Sequence, residues 1–212
     1  MVDSRGFRVW LVATLKGGVR KTTSCMLLAF ELARRGHEVL VIDADTGTQG
    51  VSDWASKVYA GGGELPFHVV QWSGDGELLV PFLLRKRKET GATLVIVDMG
   101  GEAPHVLRDA VSVADRVISP VGAEQAELGR IPATGALVAP SGAEHLVLLT
   151  RIPEPGKGTA SSARRSLVSG GYRVLDTEVA QSRGRYAHIW GTVPDDHGAY
   201  VQVVDELEGA AS

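Results

Sequence analysis

The sequence is short of several features, and each shortage removes a class of protein. One cysteine, Cys25, among 212 residues leaves no internal disulfide framework. No signal peptide and no apolar run of spanning length is visible, so the expected setting is a reducing cytoplasm. Six histidines are scattered without H-x-H or H-E-x-x-H spacing, which argues against a transition-metal site built by the protein alone. Aromatics make up 6%, and Trp10, Trp54, Trp72 and Trp190 are not spaced as a base-stacking platform; burial is the expectation for them. A net charge of −3 and pI near 6.1 exclude a wholly basic nucleic-acid binder. Neither an internal repeat nor a linker-like stretch interrupts the chain, and one domain over residues 1–212 is expected.

What remains is an ordinary globular composition, 44% hydrophobic and 22% charged, with mean hydropathy +0.04. Apolar strand-type runs at 7–13, 39–42, 67–70, 93–97, 116–119 and 146–149 alternate with helical patterns. That alternation predicts an α/β fold: a mostly parallel sheet with helices on both faces. The runs VLVI and TLVIV lack polar alternation, as central strands buried on both faces require. Each is followed by an aspartate, Asp43 and Asp98, at the carboxyl edge of the sheet where open α/β folds bind ligands. Gly61-Gly62-Gly63 and Ser73-Gly74-Asp75-Gly76 mark surface loops, and Pro153-Glu154-Pro155-Gly156 marks a turn. Cys25 falls inside the first helix as a small core residue. The last helix is expected over 197–207, with Asp195 or Asp196 as N-cap and His197 in the cap or turn.

Between the first apolar run and a helix expected over 22–35 lies Lys16-Gly17-Gly18-Val19-Arg20-Lys21-Thr22-Thr23. A glycine pair between lysines at a helix N-terminus suits an anion: the first amides lack intrahelical acceptors and the dipole is positive there. Measured against G-x-x-x-x-G-K-[ST], only the end matches, with Leu15 and Arg20 at the glycine positions. Taken with Lys16, with Asp43-Ala44-Asp45 and with Asp98, the chain resembles the ParA/MinD family of deviant Walker ATPases, whose loop reads K-G-G-x-x-K-T-[ST]. VLVIDAD, LVIVDMGG and ADRVISPV carry the resemblance onward. LLTRIPE and VAQSRGRYAHIWG are most similar to the short, ParF-like partition branch, which lacks an N-terminal DNA-reading domain.

The resemblance implies roles. Nucleotide binding falls to Lys16, Gly17, Gly18, Val19, Arg20, Lys21, Thr22 and Thr23, together with Thr150 and Arg151 of LLTRIPE. Lys21 neutralises the β- and γ-phosphates, and Thr23 bonds the α-phosphate. Thr22, Asp43 and Asp98 hold Mg²⁺, the aspartates through water. Asp45 orients the attacking water, and Lys16 reaches the partner's nucleotide, so ATP joins two subunits. The implied function is a Mg²⁺-dependent ATPase that forms an ATP-dependent homodimer and binds DNA non-specifically. It would answer to a centromere-binding, ParB-like protein and drive plasmid or chromosome partition in the cytoplasm, at the nucleoid, with no membrane partner. Two rivals are a nucleotide-gated scaffold that scarcely hydrolyses ATP and a MinD-like organiser of a membrane surface, the latter opposed by the missing basic tail.

The sequence departs from the pattern in two places. Arg20 replaces a glycine, and a left-handed backbone there costs a side-chain-bearing residue roughly 1–2 kcal/mol. Thr46-Gly47-Thr48-Gln49 replaces the Pro-Gln of partition relatives and is nearer the MinD side. Gly100-Gly101-Glu102 is a candidate second switch. Residues 151–185 carry seven Arg or Lys against three acidic residues, a net +4 that leaves the rest at −7 and suits sequence-independent phosphodiester binding. The run Arg85-Lys86-Arg87-Lys88 ends a helix, where cations favour the dipole, and its expected role is local.

Overall fold

The computed structural model describes residues 6–15, 17–101, 104–153, 157–181 and 188–209. Seven strands form one sheet: β1 (Arg8–Val12), β2 (Val39–Ala44), β3 (His68–Gln71), β4 (Leu94–Met99), β5 (Arg116–Val121), β6 (Glu144–Leu149) and β7 (Arg173–Val174). Their order is β3-β2-β4-β1-β5-β6-β7, and every pairing is parallel. The expected α/β architecture is therefore present, with a sheet parallel throughout. β7 escaped the sequence reading because two residues flanked by Gly170-Gly171-Tyr172 carry no periodic signal.

Strands β2, β4 and β5 are buried at every position, and alternate side chains supply two cores. Trp10, Val12, Val41 and Ile96 pack beneath α1 (Lys21–Arg34), α2 (Gly50–Ala60) and the last helix. Val9, Leu11, Leu40, Ile42, Val95 and Val97 face the other way, under α3 (Leu79–Thr90), α4 (Pro104–Ala110) and α6 (Ile131–Val138), which follows the short α5 (Gln125–Leu128). Two-faced burial selects for continuous Val/Ile/Leu runs, which is why the alternation rule for half-exposed strands fails here. Helix α7 (Lys157–Ser169) covers the β6 side through Ala160, Ala163 and Leu167. Cys25 lies in the first core, fully buried, and burial raises its thiol pKa well above the ordinary value.

The last helix, α8 (Tyr200–Gly209), starts three residues later than expected. Asp196 does act in the preceding turn, accepting the Gly198 amide at 2.7 Å. His197 is more than a turn residue: it is buried, and its Nδ1 lies 2.7 Å from Glu31 of α1.

Candidate phosphate site

Register builds the site. In the β2–β4 pairing Asp43 sits opposite Asp98, and in the β1–β4 pairing Val12 sits opposite Asp98. Two carboxylates and the start of the glycine loop are thereby set side by side at the carboxyl edge of three adjacent strands. The loop is braced from behind. Thr14 donates to the Pro120 carbonyl (2.8 Å), the Leu15 amide donates to Thr134 Oγ1 (3.3 Å), and Ser119 donates to the Ala13 carbonyl (2.6 Å). With its hydroxyl proton committed, Ser119 accepts from His145 Nε2 at 2.9 Å; burial lowers the His145 pKa to about 4, which keeps that ring neutral.

Gly18 and Arg20 take positive φ, 75° and 65°, to turn the chain into α1. Arg20 is thus in the left-handed conformation the sequence raised as a cost, and it is the N-cap residue of α1, with no side-chain cap bond. Among the described residues two other non-glycine residues share positive φ: Gln49 (49°), which starts α2, and Arg151 (56°), just after β6. All three lie in the segments that follow β1, β2 and β6 at this edge, Arg20 and Gln49 where those segments enter a helix, and such strain concentrates at functional sites.

A cavity of about 630 Å³ opens over the α1 N-terminus. Gly17, Gly18, Arg20, Lys21, Thr22 and Thr23 form its floor, and the 44–48 loop, Gly100-Gly101 and Trp190 form its walls. Lys21 is buried; desolvation lowers its pKa while the carboxylates of Asp98 and Asp45 push back. Thr22 donates to Asp98 Oδ2 at 2.6 Å. Asp98 is fully buried, its Oδ1 finds no hydrogen-bond partner among the described residues, and burial raises its pKa to about 7. An orphaned carboxylate oxygen beside a threonine hydroxyl is a donor set that fits a small hard cation. No group of three or more His, Cys, Asp or Glu that could hold a metal is present among the described residues, so such a cation would depend on hydroxyl, water and phosphate oxygens as well.

The other aspartates are engaged. Asp43 Oδ2 accepts the amide and the hydroxyl of Ser52 at 2.8 and 2.7 Å, anchoring the first turn of α2, and Oδ1 takes the Asp45 amide at 3.3 Å. Burial nevertheless raises the Asp43 pKa. Asp45 closes its own loop, accepting the Gly47 and Thr48 amides (3.1 and 3.2 Å) and the Thr48 hydroxyl (2.8 Å). Gly50 has no room for a side chain, since a Cβ there would lie 2.9 Å from Thr22 Oγ1. Sequence reasoning missed Ser52 and Gly50, and it expected Trp190 only to be buried. Ser52 had a faint signal, a hydroxyl residue nine positions after a strand-end aspartate, in the first turn of the next helix.

Other expected residues lie elsewhere. Val19 is buried, and its carbonyl accepts the fully buried Thr150 hydroxyl at 3.4 Å, so Thr150 stands behind the loop. Arg151 pairs with the buried Glu127, which also accepts the Gly122 amide at 2.8 Å; neither Thr150 nor Arg151 lines the cavity. Lys16 and Glu102 lie outside the described residues. So do Glu154, Arg183 and Arg185 of the basic stretch. Within that stretch Arg164 bonds the Leu175 and Asp176 carbonyls and Glu178, and Arg173 pairs with Glu144. The 85–88 run is local as expected: Arg85 and Lys86 pair with Glu77 and Glu89, and Arg87 bonds the Ala92 carbonyl. Among the described residues no helix is long and apolar enough to cross a membrane.

Comparison with known proteins agrees with this geometry. A family model described as the CobQ/CobB/MinD/ParA nucleotide binding domain matches residues 10–182. The chain is 35% identical over 167 residues to the maintenance of carboxysome distribution protein A of Gloeobacter kilaueensis, covering 76% of this chain and 70% of that one. It is 33% identical over 113 residues to protein ParA of Rhizobium radiobacter, covering 53% and 48%. Its fold matches a candidate plasmid partition protein from Borrelia burgdorferi bound to AMPPNP, with TM-score 0.72, 18% identity, and 96% and 97% of the two chains covered.

Proposed function

The chain belongs to the CobQ/CobB/MinD/ParA nucleotide-binding family, and from that premise we propose that it is a ParA-type, Mg²⁺-dependent ATPase that positions a large cargo. The observation that carries this reading is the buried Asp98 oxygen, lacking a hydrogen-bond partner among the described residues, beside Thr22 at the floor of a glycine-rich cavity. In the bound state Lys21 balances phosphate charge and the α1 N-terminus receives phosphate oxygens. Thr22 and Asp98 would hold Mg²⁺, with Asp43 adding negative charge beside them. The cation supplies charge neutralisation of the transferring phosphoryl group. Asp45 orients water, and Lys16 serves the nucleotide of a second copy, making ATP the condition for a homodimer.

The names of similar proteins give two cargo classes, carboxysomes for a relative and plasmids for a structural neighbour. DNA is the preferred one for this chain: a nucleoid-associated cytoplasmic dimer holding DNA without sequence preference and released through a ParB-like protein. The basic stretch supports this only in part, because Arg151, Arg164 and Arg173 are already paired with carboxylates; salt-dependent DNA binding by the ATP-loaded form is the direct test. One observation favours a second reading, a nucleotide-gated scaffold with little hydrolysis: Arg20 holds a glycine conformation in the phosphate loop.

Titration with ATP and Mg²⁺ while the mass in solution is followed tests the main reading. The parent is expected to double in mass, Lys21→Ala to lose binding, and Lys16→Ala to bind as a monomer. A parent that takes up no purine triphosphate overturns it. Phosphate release with DNA and partner present then separates ATPase from scaffold.

A further inference from the structure

Three of the four tryptophans meet the expectation of burial, at 0% exposure for Trp10 and Trp54 and 7% for Trp72. Trp190 does not. It is half-buried and forms an aromatic wall of the cavity, facing a lining of Thr, Gly, Lys, Arg, Asp and Ala. Its indole N–H donates to Asp53 Oδ2 at 2.7 Å, and its ring lies 5.0 Å from that of Trp54. Trp54 returns a bond to the Thr192 carbonyl at 2.8 Å. Residues 190–192 are thus fastened to the first two turns of α2.

The same turns of α2 touch the phosphate site directly. Gly50 abuts Thr22, and Ser52 is doubly bonded to Asp43. One rigid helix of 11 residues therefore connects Thr22 and Asp43 at its start with the Trp190 indole on its flank. A ligand that reorganises Thr22 and the 46–48 loop together must move or fix α2, and the indole moves with it.

We propose that Trp190 is a positioning residue that couples occupancy of the terminal-phosphate end of the cavity to the orientation of α2, so that the chain distinguishes nucleoside triphosphate from diphosphate. This rests on the nucleotide-binding reading above and adds to it a residue and a route. Trp190 shares the cavity lining with Thr46, Gly47 and Thr48 of the loop that leads into α2, so a ligand long enough to fill that side of the cavity bears on the loop, α2 and the indole together, whereas a shorter one does not reach them.

The test uses full-length protein with ATP–Mg²⁺ and ADP–Mg²⁺ as probes, reading tryptophan emission and Kd. In the parent, emission shifts more with ATP than with ADP. In Trp190→Phe that difference disappears although three buried tryptophans remain. Trp190→Ala weakens ATP by roughly fivefold to tenfold and ADP by less than about twofold, and Asp53→Ala reproduces part of the loss. Melting temperatures close to the parent's verify that the variants are folded. If the parent binds ATP and Trp190→Ala leaves the ATP-to-ADP affinity ratio unchanged, the inference fails while the nucleotide site stands. If the parent binds neither nucleotide, both fail.

Discussion

The two ends of α1 are built on opposite plans. At its N-terminus no side chain caps the helix, Arg20 is held in a left-handed conformation, and a buried Asp98 oxygen goes without a partner among the described residues. At its C-terminus Glu31, fully buried, accepts from Arg34 (2.8 and 2.5 Å), Arg35 (2.7 Å) and His197 (2.7 Å). Arg35 continues to Asp205 and Glu208 of α8, and Ser24 bonds Tyr200 at 2.7 Å. One end satisfies its polar groups and ties the fold together. The other leaves capacity unused, and a ligand is what uses it.

Breaking the satisfied end has the largest expected effect. Glu31→Ala strands Arg35 and His197 beside a vacated buried position and should cost about 3 kcal/mol, read by denaturant melts, with nucleotide affinity measured below the transition little changed. Breaking the ligand end reverses the pattern. Lys21→Ala should weaken ATP by about 2–3 kcal/mol, on the order of a hundredfold in Kd. It should leave the ligand-free protein as stable as before or more so, because a desolvated ammonium is gone. A variant that loses stability and binding together would erase the distinction between the ends.

Acidity sharpens the comparison because the two carboxylates shift in opposite directions. Burial pushes Glu31 up, but hydrogen bonds from Arg34, His197 and Arg35 outweigh it and hold the group at about 2, below its ordinary 4.5. Its stabilisation is present above pH 4.5 and is lost as pH falls from there towards 2. Asp98, raised from 3.8 to about 7 chiefly by burial, does the reverse: its contribution is complete below pH 3.8 and is lost as pH rises through 7. Asp98→Asn should therefore stabilise the ligand-free protein more at pH 8 than at pH 5, by about 2 kcal/mol, while abolishing Mg²⁺-dependent binding. Equal melting shifts at both pH values would show that the Asp98 charge is not what burdens this end.

Much of this was legible in the residues. Continuous runs such as VLVI and TLVIV mark central strands because burial on two faces leaves no polar position, and Asp43 and Asp98 mark the functional edge because a carboxylate ends each run. The illegible parts depend on contacts distant in sequence. Asp43 anchors Ser52, Thr150 supports Val19, His197 meets Glu31 and Trp190 reaches Asp53, and neither periodicity nor motif spacing encodes such pairings. The charge of residues 151–185 is a related case, since counting arginines says nothing of the carboxylates and carbonyls that pair with Arg164 and Arg173.

Arg20 is the smallest perturbation and the one that most directly tests whether the strained end is tuned for its ligand. Its φ of 65° and ψ of 35° are glycine-like, and a side chain there costs roughly 1 kcal/mol that glycine would not. Glycine also loses more chain entropy on folding, which offsets part of the gain, so the net stability change for Arg20→Gly should stay within about 0.5 kcal/mol. The informative readout is ATP. Arg20 lines the cavity and brings positive charge to it. If that charge is used, Arg20→Gly weakens ATP and steepens nothing in its salt dependence, whereas Arg20→Lys retains most of the affinity. If the side chain only obstructs, Arg20→Gly tightens ATP or speeds its turnover, and Arg20→Lys behaves like the parent. Obstruction is the expected outcome: Lys21, buried beside Asp98 and Asp45, already supplies positive charge at the helix N-terminus, and glycine at position 20 relieves the left-handed strain.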